Sequence, residues 1–562
     1  MSFTRGRWRV LCLWVLLSSQ QLLAQSDDVV RVKTELVQTD VTVVDKRGRF
    51  VSGLSANDLE LRVDSKLQPL SFFEEVTAGS IDEEKQLAAA RKGDAAKLPK
   101  TPGPAIDRGR VIFFFVDDIH LTGESLTRAR SVLTNFVENK MTAKDQVAIV
   151  STSGQIGFLQ QLTDNKAVLR EAISRLNSKY NPEATASHVA ISEVDANLVA
   201  NHGDQGLFSY LVEATMREFQ IDALNAYTIV TNRIHQINGQ SRLAELDTLS
   251  RLESLMRSTT PLTGRKLLFF LSDGFVVDAK RSNGPDVLRR VANEAARVGV
   301  VVYTLSTRGN IFGPGIDVSS NGYPDYSPRT ASRSLAESKM PQEMLETLAK
   351  ETGGRSVLNA SRLNDGVAEA LTETSAYYLL AWRPDNENQT VGKSRLNVVV
   401  KGRPDLRVRM RQHYFDFRQN EAKPKAPATN TPDDQLKRSL GSLYPRRDLR
   451  VSVAASFVNT VDKGTALNVS MQIDGQSLSF DDGKQQAIVD VLGVAIDDRG
   501  QFSSFKQKVD IPREVLAKDG RFIKWTQTLP LPPGLYQVRV AVRDRQTGRT
   551  GSAMTWIEIP QQ

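Results

Sequence analysis

The sequence predicts a multidomain chain: a doubly wound, Rossmann-type α/β domain flanked by a small N-terminal β-domain and a C-terminal β-sandwich. Three observations predict it. Two unbroken apolar runs, Val111-Ile-Phe-Phe-Phe-Val116 and Leu267-Leu-Phe-Phe-Leu271, are each followed closely by carboxylates, Asp117-Asp118 and Asp273. Strands covered on both faces read as continuous apolar runs and belong to parallel sheets. Helical periodicity alternates with such runs from Arg110 to about Ser306, as a strand–helix–strand domain requires. Outside that region, apolar and polar residues alternate at 29–77 and again beyond Leu449, the pattern of half-buried strands.

Taken in order, Arg5, Arg7 and Arg9 precede the apolar stretch Val10–Leu17, and Leu22-Leu23-Ala24 resembles a cleavage site. Residues 1–24 are therefore expected to be an export signal, with a mature N-terminus at Gln25. Cys12, the only cysteine, lies inside that signal. A mature chain without cysteine has no disulfide, zinc–thiolate site or cysteine nucleophile.

Residues 28–77 are expected to form the small β-domain, with turns at Lys46-Arg47-Gly48 and Asp64-Ser65-Lys66. The segment 78–108, rich in Ala and Lys and carrying Pro99, Pro102 and Pro104, is expected to be a linker. The α/β domain is expected at 109–415. One helix presents Leu126, Ala129, Leu133, Phe136 and Val137 on a single face, a second Leu169, Ala172, Ile173 and Leu176, and a third Val287, Leu288, Val291, Ala295 and Val298. Residues 178–224 interrupt it as a long insertion. A second linker is expected at 416–445, and short alternating strands at 446–560 predict a sandwich of immunoglobulin or fibronectin type.

Charge and composition narrow the function classes. The chain of 562 residues is 40% hydrophobic and 25% charged, ordinary for globular protein. Its formal charge is +8, of which the three signal arginines supply three, leaving +5 for the mature chain. The basic stretch Arg403–Arg411 alternates like a strand and is expected to be a solvated edge, so no nucleic-acid partner is expected. No segment after the signal approaches the roughly 18 apolar residues of a membrane span. His188 and His202 flank the acidic insertion without a His-Glu-x-x-His frame, and no Gly-x-Ser-x-Gly or Walker-type loop occurs.

The strand ending at Asp117, the run Phe158-Leu-Gln-Gln-Leu-Thr-Asp164 and the run Leu268-Phe-Phe-Leu-Ser-Asp-Gly274 together resemble a von Willebrand factor A (VWA) domain. More narrowly, the chain is similar to secreted bacterial VWFA-related domain proteins. The further matches are Leu348-Ala-Lys-Glu-Thr-Gly-Gly354, Tyr377-Tyr-Leu-Leu-Ala-Trp-Arg-Pro384 and the stretch Val398–Tyr414, so the resemblance spans roughly residues 28–415.

That resemblance implies a metal-ion-dependent adhesion site: Asp-x-Ser-x-Ser after the first strand, a Thr from a second loop and an Asp from a third, holding one divalent cation, Mg²⁺ or Mn²⁺. Here the first loop departs from the pattern. Alignment on Asp118 gives Asp118-x-His120-x-Thr122, with an imidazole in a serine's place; alignment on Asp117 gives Ile119 and Leu121 at both serine positions. The first is the expected ligand set, with Asp273 as third-loop Asp and Asp117 and Ser272 beside it. An imidazole ligand favours Mn²⁺ or a later ion over Mg²⁺. The second-loop Thr is not identifiable; Ser187, Ser192, Glu193, Asp195 and Asp204 of the insertion could supply oxygen, and the first four are expected to meet the partner.

The expectation is an exported, non-enzymatic interaction protein that binds a protein partner through this divergent site. Two alternatives stay open: a scaffold with an inert rim that acts through its sandwich, and a metal-assisted hydrolase using the same carboxylates.

Overall fold

The computed structural model describes residues 36–560 apart from several breaks, the longest at 93–108, 181–190, 310–330, 384–392 and 416–430. The expected signal, residues 1–24, lies outside the described residues, as do Ser187 and His188.

Five parallel strands form the central sheet: β5 (Val111–Val116), β6 (Gln146–Ser151), β7 (Lys266–Ser272), β8 (Val300–Ser306) and β9 (Ser356–Val357), in the order β6-β5-β7-β8-β9. Alternate side chains of β5 enter two separate cores, which is why its sequence is apolar throughout. Ile112, Phe114 and Val116 meet α2 (Gly123–Asn139), α3 (Lys166–Arg175) and α9 (Leu363–Glu373). Phe113 and Phe115 meet the far end of α6 (Ala223–Ser258), together with α7 (Gly284–Val298) and α8 (Ala331–Thr352). The chain leaves β5 toward β6 on one side and returns to β7 on the other. The switch in winding direction therefore opens a crevice at the carboxyl ends of β5 and β7.

The insertion between α3 and β7 is helical: α4 (Glu193–His202), α5 (Gln205–Phe219) and the first half of α6. These close on their own small core of Val194, Leu198, Leu207, Leu211, Val230 and Ile234.

The N-terminal strands do not form a domain of their own. Strands β1 (Val37–Val44), β2 (Leu59–Val63), β3 (Lys66–Gln68) and β4 (Leu70–Thr77) join β10 (Ala376–Trp382), β11 (Lys393–Val400), β12 (Arg407–Arg409) and β13 (His413–Phe415). The two resulting sheets run β12-β1-β10-β4 and β13-β11-β2-β3. In β10, Tyr378 lies between Val41 of β1 and Glu75 of β4. The shared core holds Val41, Val43, Leu61, Tyr378, Leu380, Trp382 and Val398, all buried. The expected boundaries at 28–77 and 109–415 are corrected accordingly: β10 to β13 belong with the N-terminal strands, because neither half can cover its apolar face alone.

Part of each expected linker is helix as well. Helix α1 (Glu83–Lys92) seats Ala90 against Phe72, Val76, Tyr377 and Leu379, and Tyr377 donates its hydroxyl to the buried Glu83 at 2.8 Å. Helix α10 (Pro432–Leu440) lies against the last domain, where Arg539 donates to Leu440 O at 2.9 Å. That domain consists of two antiparallel sheets around one core. Strands β14 (Val451–Thr460), β15 (Gly464–Asp474) and β18 (Phe522–Pro530) form one sheet. Strands β17 (Phe502–Pro512), β16 (Gln486–Asp497), β19 (Gly534–Asp544) and β20 (Thr550–Ile559) form the other. Among the described residues no helix is long and apolar enough to cross a membrane.

Candidate functional site

Asp117 leaves β5 with its backbone N–H still donating to Leu271 O of β7 at 2.9 Å, so its side chain projects into the crevice between those two strands. That side chain is fully buried and works as a hub. It accepts hydrogen bonds from His120 Nδ1 at 2.9 Å, Thr152 Oγ1 at 3.2 Å, Thr248 Oγ1 at 3.2 Å and Ser272 Oγ at 2.6 Å. The four donors come from the β5–α2 loop, the residue after β6, the middle of α6 and the end of β7. A buried carboxylate is stable only when so satisfied.

His120 sits on the tight turn that closes when His120 N and Leu121 N both donate to Asp117 O. Its ring stacks on Phe275 at 4.6 Å between centroids, and its Nε2 is buried with no partner among the described residues. Because Asp117 can only accept, the neutral ring carries its proton on Nδ1. Burial of the ring opposes its protonation. The Asp117 carboxylate outweighs that, helped by Glu193 and Asp273, and holds the imidazole above its ordinary pKa.

The two other carboxylates of the crevice point elsewhere. Asp118 turns toward the β6 side, where it accepts from Ser153 N at 2.9 Å, from Ser153 Oγ and from Gln155 Nε2 at 2.5 Å. Asp273 turns toward β8 and the start of α2, accepting from Thr307 Oγ1 at 2.8 Å and Thr122 N at 3.4 Å. Burial pushes both carboxyls above the usual carboxylate range, against the pull of those donors. Thr122 caps α2, its Oγ1 accepting from Ser125 N at 3.2 Å. Behind Asp273, Gly274 takes φ +79°, and a Cβ there would stand 2.0 Å from Pro341 O.

The cation that the resemblance implies can be tested against these contacts. Asp118 and Asp273 are drawn to opposite sides of β5, and Asp117 is surrounded by four proton donors. Ile119 and Leu121 bring no side-chain oxygen where an adhesion site has serines. Among the described residues no group of three or more His, Cys, Asp or Glu is placed to hold a metal. In this arrangement the expected set Asp118, His120, Thr122 and Asp273, with Asp117 and Ser272 beside it, is held by separate hydrogen bonds, and the described side chains do not converge on one point. His120 bonds Asp117 and not Asp118, because the turn at 117–121 folds the imidazole back over the residue that begins it.

The insertion residues divide similarly. Ser192 and Asp195 form the capping box of α4, with Asp195 buried and ion-paired to Arg333 at 2.8 Å and Ser192 hydrogen-bonded to Glu337. They dock α4 onto α8. Glu193 points inward instead. It accepts from Val276 N at 3.2 Å, and burial raises its pKa against the opposing charge of His120. Two members of the hub escaped the sequence reading. Thr152 directly follows β6, a position that could have flagged it, whereas Thr248 lies deep inside a 36-residue helix with no local signal.

Comparison with known proteins adds little. No family model and no curated protein matches the chain. Among solved structures, a protein assigned the name ApaA in Bordetella pertussis is 15% identical, covering 20% of this chain and 95% of its own, with a TM-score of 0.15. The structural-genomics target SoR45 is 13% identical, covering 21% of this chain and 88% of its own, with a TM-score of 0.14. Similarity that low carries no argument about fold or function.

Proposed function

We propose that this chain is an exported interaction protein that takes a protein partner on the rim at the carboxyl ends of β5, β6 and β7. One observation carries the reading: the buried Asp117 ties four segments into a fixed frame beneath an exposed surface. That surface includes the exposed Thr122 and Glu124 at the start of α2, the half-buried loop 153–155, and Tyr180, which is 40% exposed. Lys179, beside Tyr180, is fixed by its backbone N–H to Asp118 O at 2.7 Å. Aromatic anchors on rigid supports give binding surfaces most of their energy, because little side-chain freedom remains to be lost. Buried carboxyls with raised pKa values gather at functional sites for the same reason that they are costly elsewhere.

A photo-crosslinker placed at Glu124 tests this against one at Lys144, which is exposed at the opposite end of the sheet. The expected result is a discrete crosslinked species from position 124 alone, lost in Tyr180→Ala. Equal crosslinking from both positions, or none from position 124, overturns the reading. A second reading, binding through the sandwich, is favoured by Phe457 and Val458, which are 37% and 45% exposed on the edge strand β14.

A further inference from the structure

We infer that the helical insertion holds a second binding site, separate from the rim, for a guanidinium or primary ammonium group on a short apolar stem. A cavity of about 430 Å³ opens between α4 and α6, lined by Glu193, Asn197, Asn238, Ser241, Glu245 and Val276 among others. Its chemistry is unbalanced toward acceptors. The Glu193 carboxylate has the Val276 N–H and the Ser241 hydroxyl as donors and feels the charge of His120, but among the described residues no Lys or Arg is within salt-bridge distance of it. Asn197 is 5% exposed, and its Oδ1 is buried without a partner. Asn238 uses its Nδ2 on Ala196 O at 3.1 Å. His235 and Arg242, the basic residues of the lining, are both exposed on α6.

Buried acceptors left without donors are costly, and a carboxylate in such a place is stabilised most by a charged, hydrogen-bonded cation. The side chain of Val276 and the bare backbone of Gly239 offer the apolar wall that a short alkyl stem covers. Such a cavity suits a small molecule, or one Arg or Lys side chain of a larger partner.

The probes are n-butylguanidinium and n-butylurea, which share a shape and differ in charge, added to the full chain and followed by titration calorimetry. Saturable one-to-one binding of butylguanidinium is expected, with butylurea at least tenfold weaker. A Cβ at Gly239 meets nothing within 4 Å, so Gly239→Leu should fill the cavity without disturbing the helix. It is expected to abolish binding while the circular dichroism spectrum and unfolding midpoint are kept, and Glu193→Gln to weaken binding at least tenfold. A blocked arginine peptide separates the sources: binding of both cations supports a partner's side chain as the ligand, and binding of butylguanidinium alone supports a free small molecule. No saturable heat from butylguanidinium, equal binding of butylurea, or unchanged binding in Gly239→Leu overturns the inference.

Discussion

At the scale of single residues, His120 is a titratable partner for a buried carboxylate. Its pKa is raised in the folded chain by Asp117, Glu193 and Asp273 despite the cost of burying the ring. A group with a raised folded pKa adds stability that is fully present below its unfolded pKa, near 6.5 for histidine, and lost as pH rises through the folded value. Replacement by Gln should therefore cost most in acid, on the order of 1.5–3 kcal/mol for a hydrogen bond to a charged group, and progressively less toward alkaline pH. Denaturant unfolding of the wild type and His120→Gln at a series of pH values checks this, and a difference that grows with pH contradicts it. The acidic rim was legible in the sequence because a strand that runs straight into Asp advertises its own end. The partner of each carboxylate was not, because the choice between Asp117 and Asp118 depends on which way the turn at 117–121 folds.

At the scale of elements, the strand-to-helix register was legible wherever one face or both faces were apolar. Strands β5 to β8 and helices α2, α3 and α7 fall where periodicity put them. What periodicity cannot show is which distant segment covers a half-buried strand: the pattern alone groups β10 with the α/β domain, whereas its neighbours are β1 and β4. Helix α1 was hidden for a similar reason: it has no strong periodicity, and Ala90 and Glu83 matter only through what they touch. The turn after β7 carries the element-scale prediction. Gly274→Ala meets both a left-handed backbone at φ +79° and the carbonyl oxygen of Pro341, neither of which can yield without moving α8. The loss should be at least about 2 kcal/mol in unfolding free energy, beyond the usual effect of a surface substitution. An unchanged thermal midpoint would show that this turn is looser than its contacts imply.

At the scale of the whole molecule, the chain is closed on itself by its first β-domain. Strand β10 follows α9 directly, yet it is covered only when β1 and β4 pair along its two edges and α1 packs over its outer face. Tyr378, Leu380 and Trp382 are each no more than 1% exposed, so removing the N-terminal strands uncovers three large side chains of one strand at once. Fully burying one large apolar side chain contributes about 1.5–3 kcal/mol, so this uncovering rivals the 5–15 kcal/mol that holds a typical domain together. Glu83 adds a second tie, since it accepts from Arg265 N at the entry to β7 as well as from Tyr377. A chain that begins at residue 109 is thus expected to aggregate or to unfold without a sharp transition, even though it retains every strand of the parallel sheet. One that begins at residue 36 should unfold cooperatively. Scanning calorimetry of the two chains decides between this closed arrangement and independent domains, and a sharp, reversible transition from the shorter chain would establish that 109–415 folds alone after all.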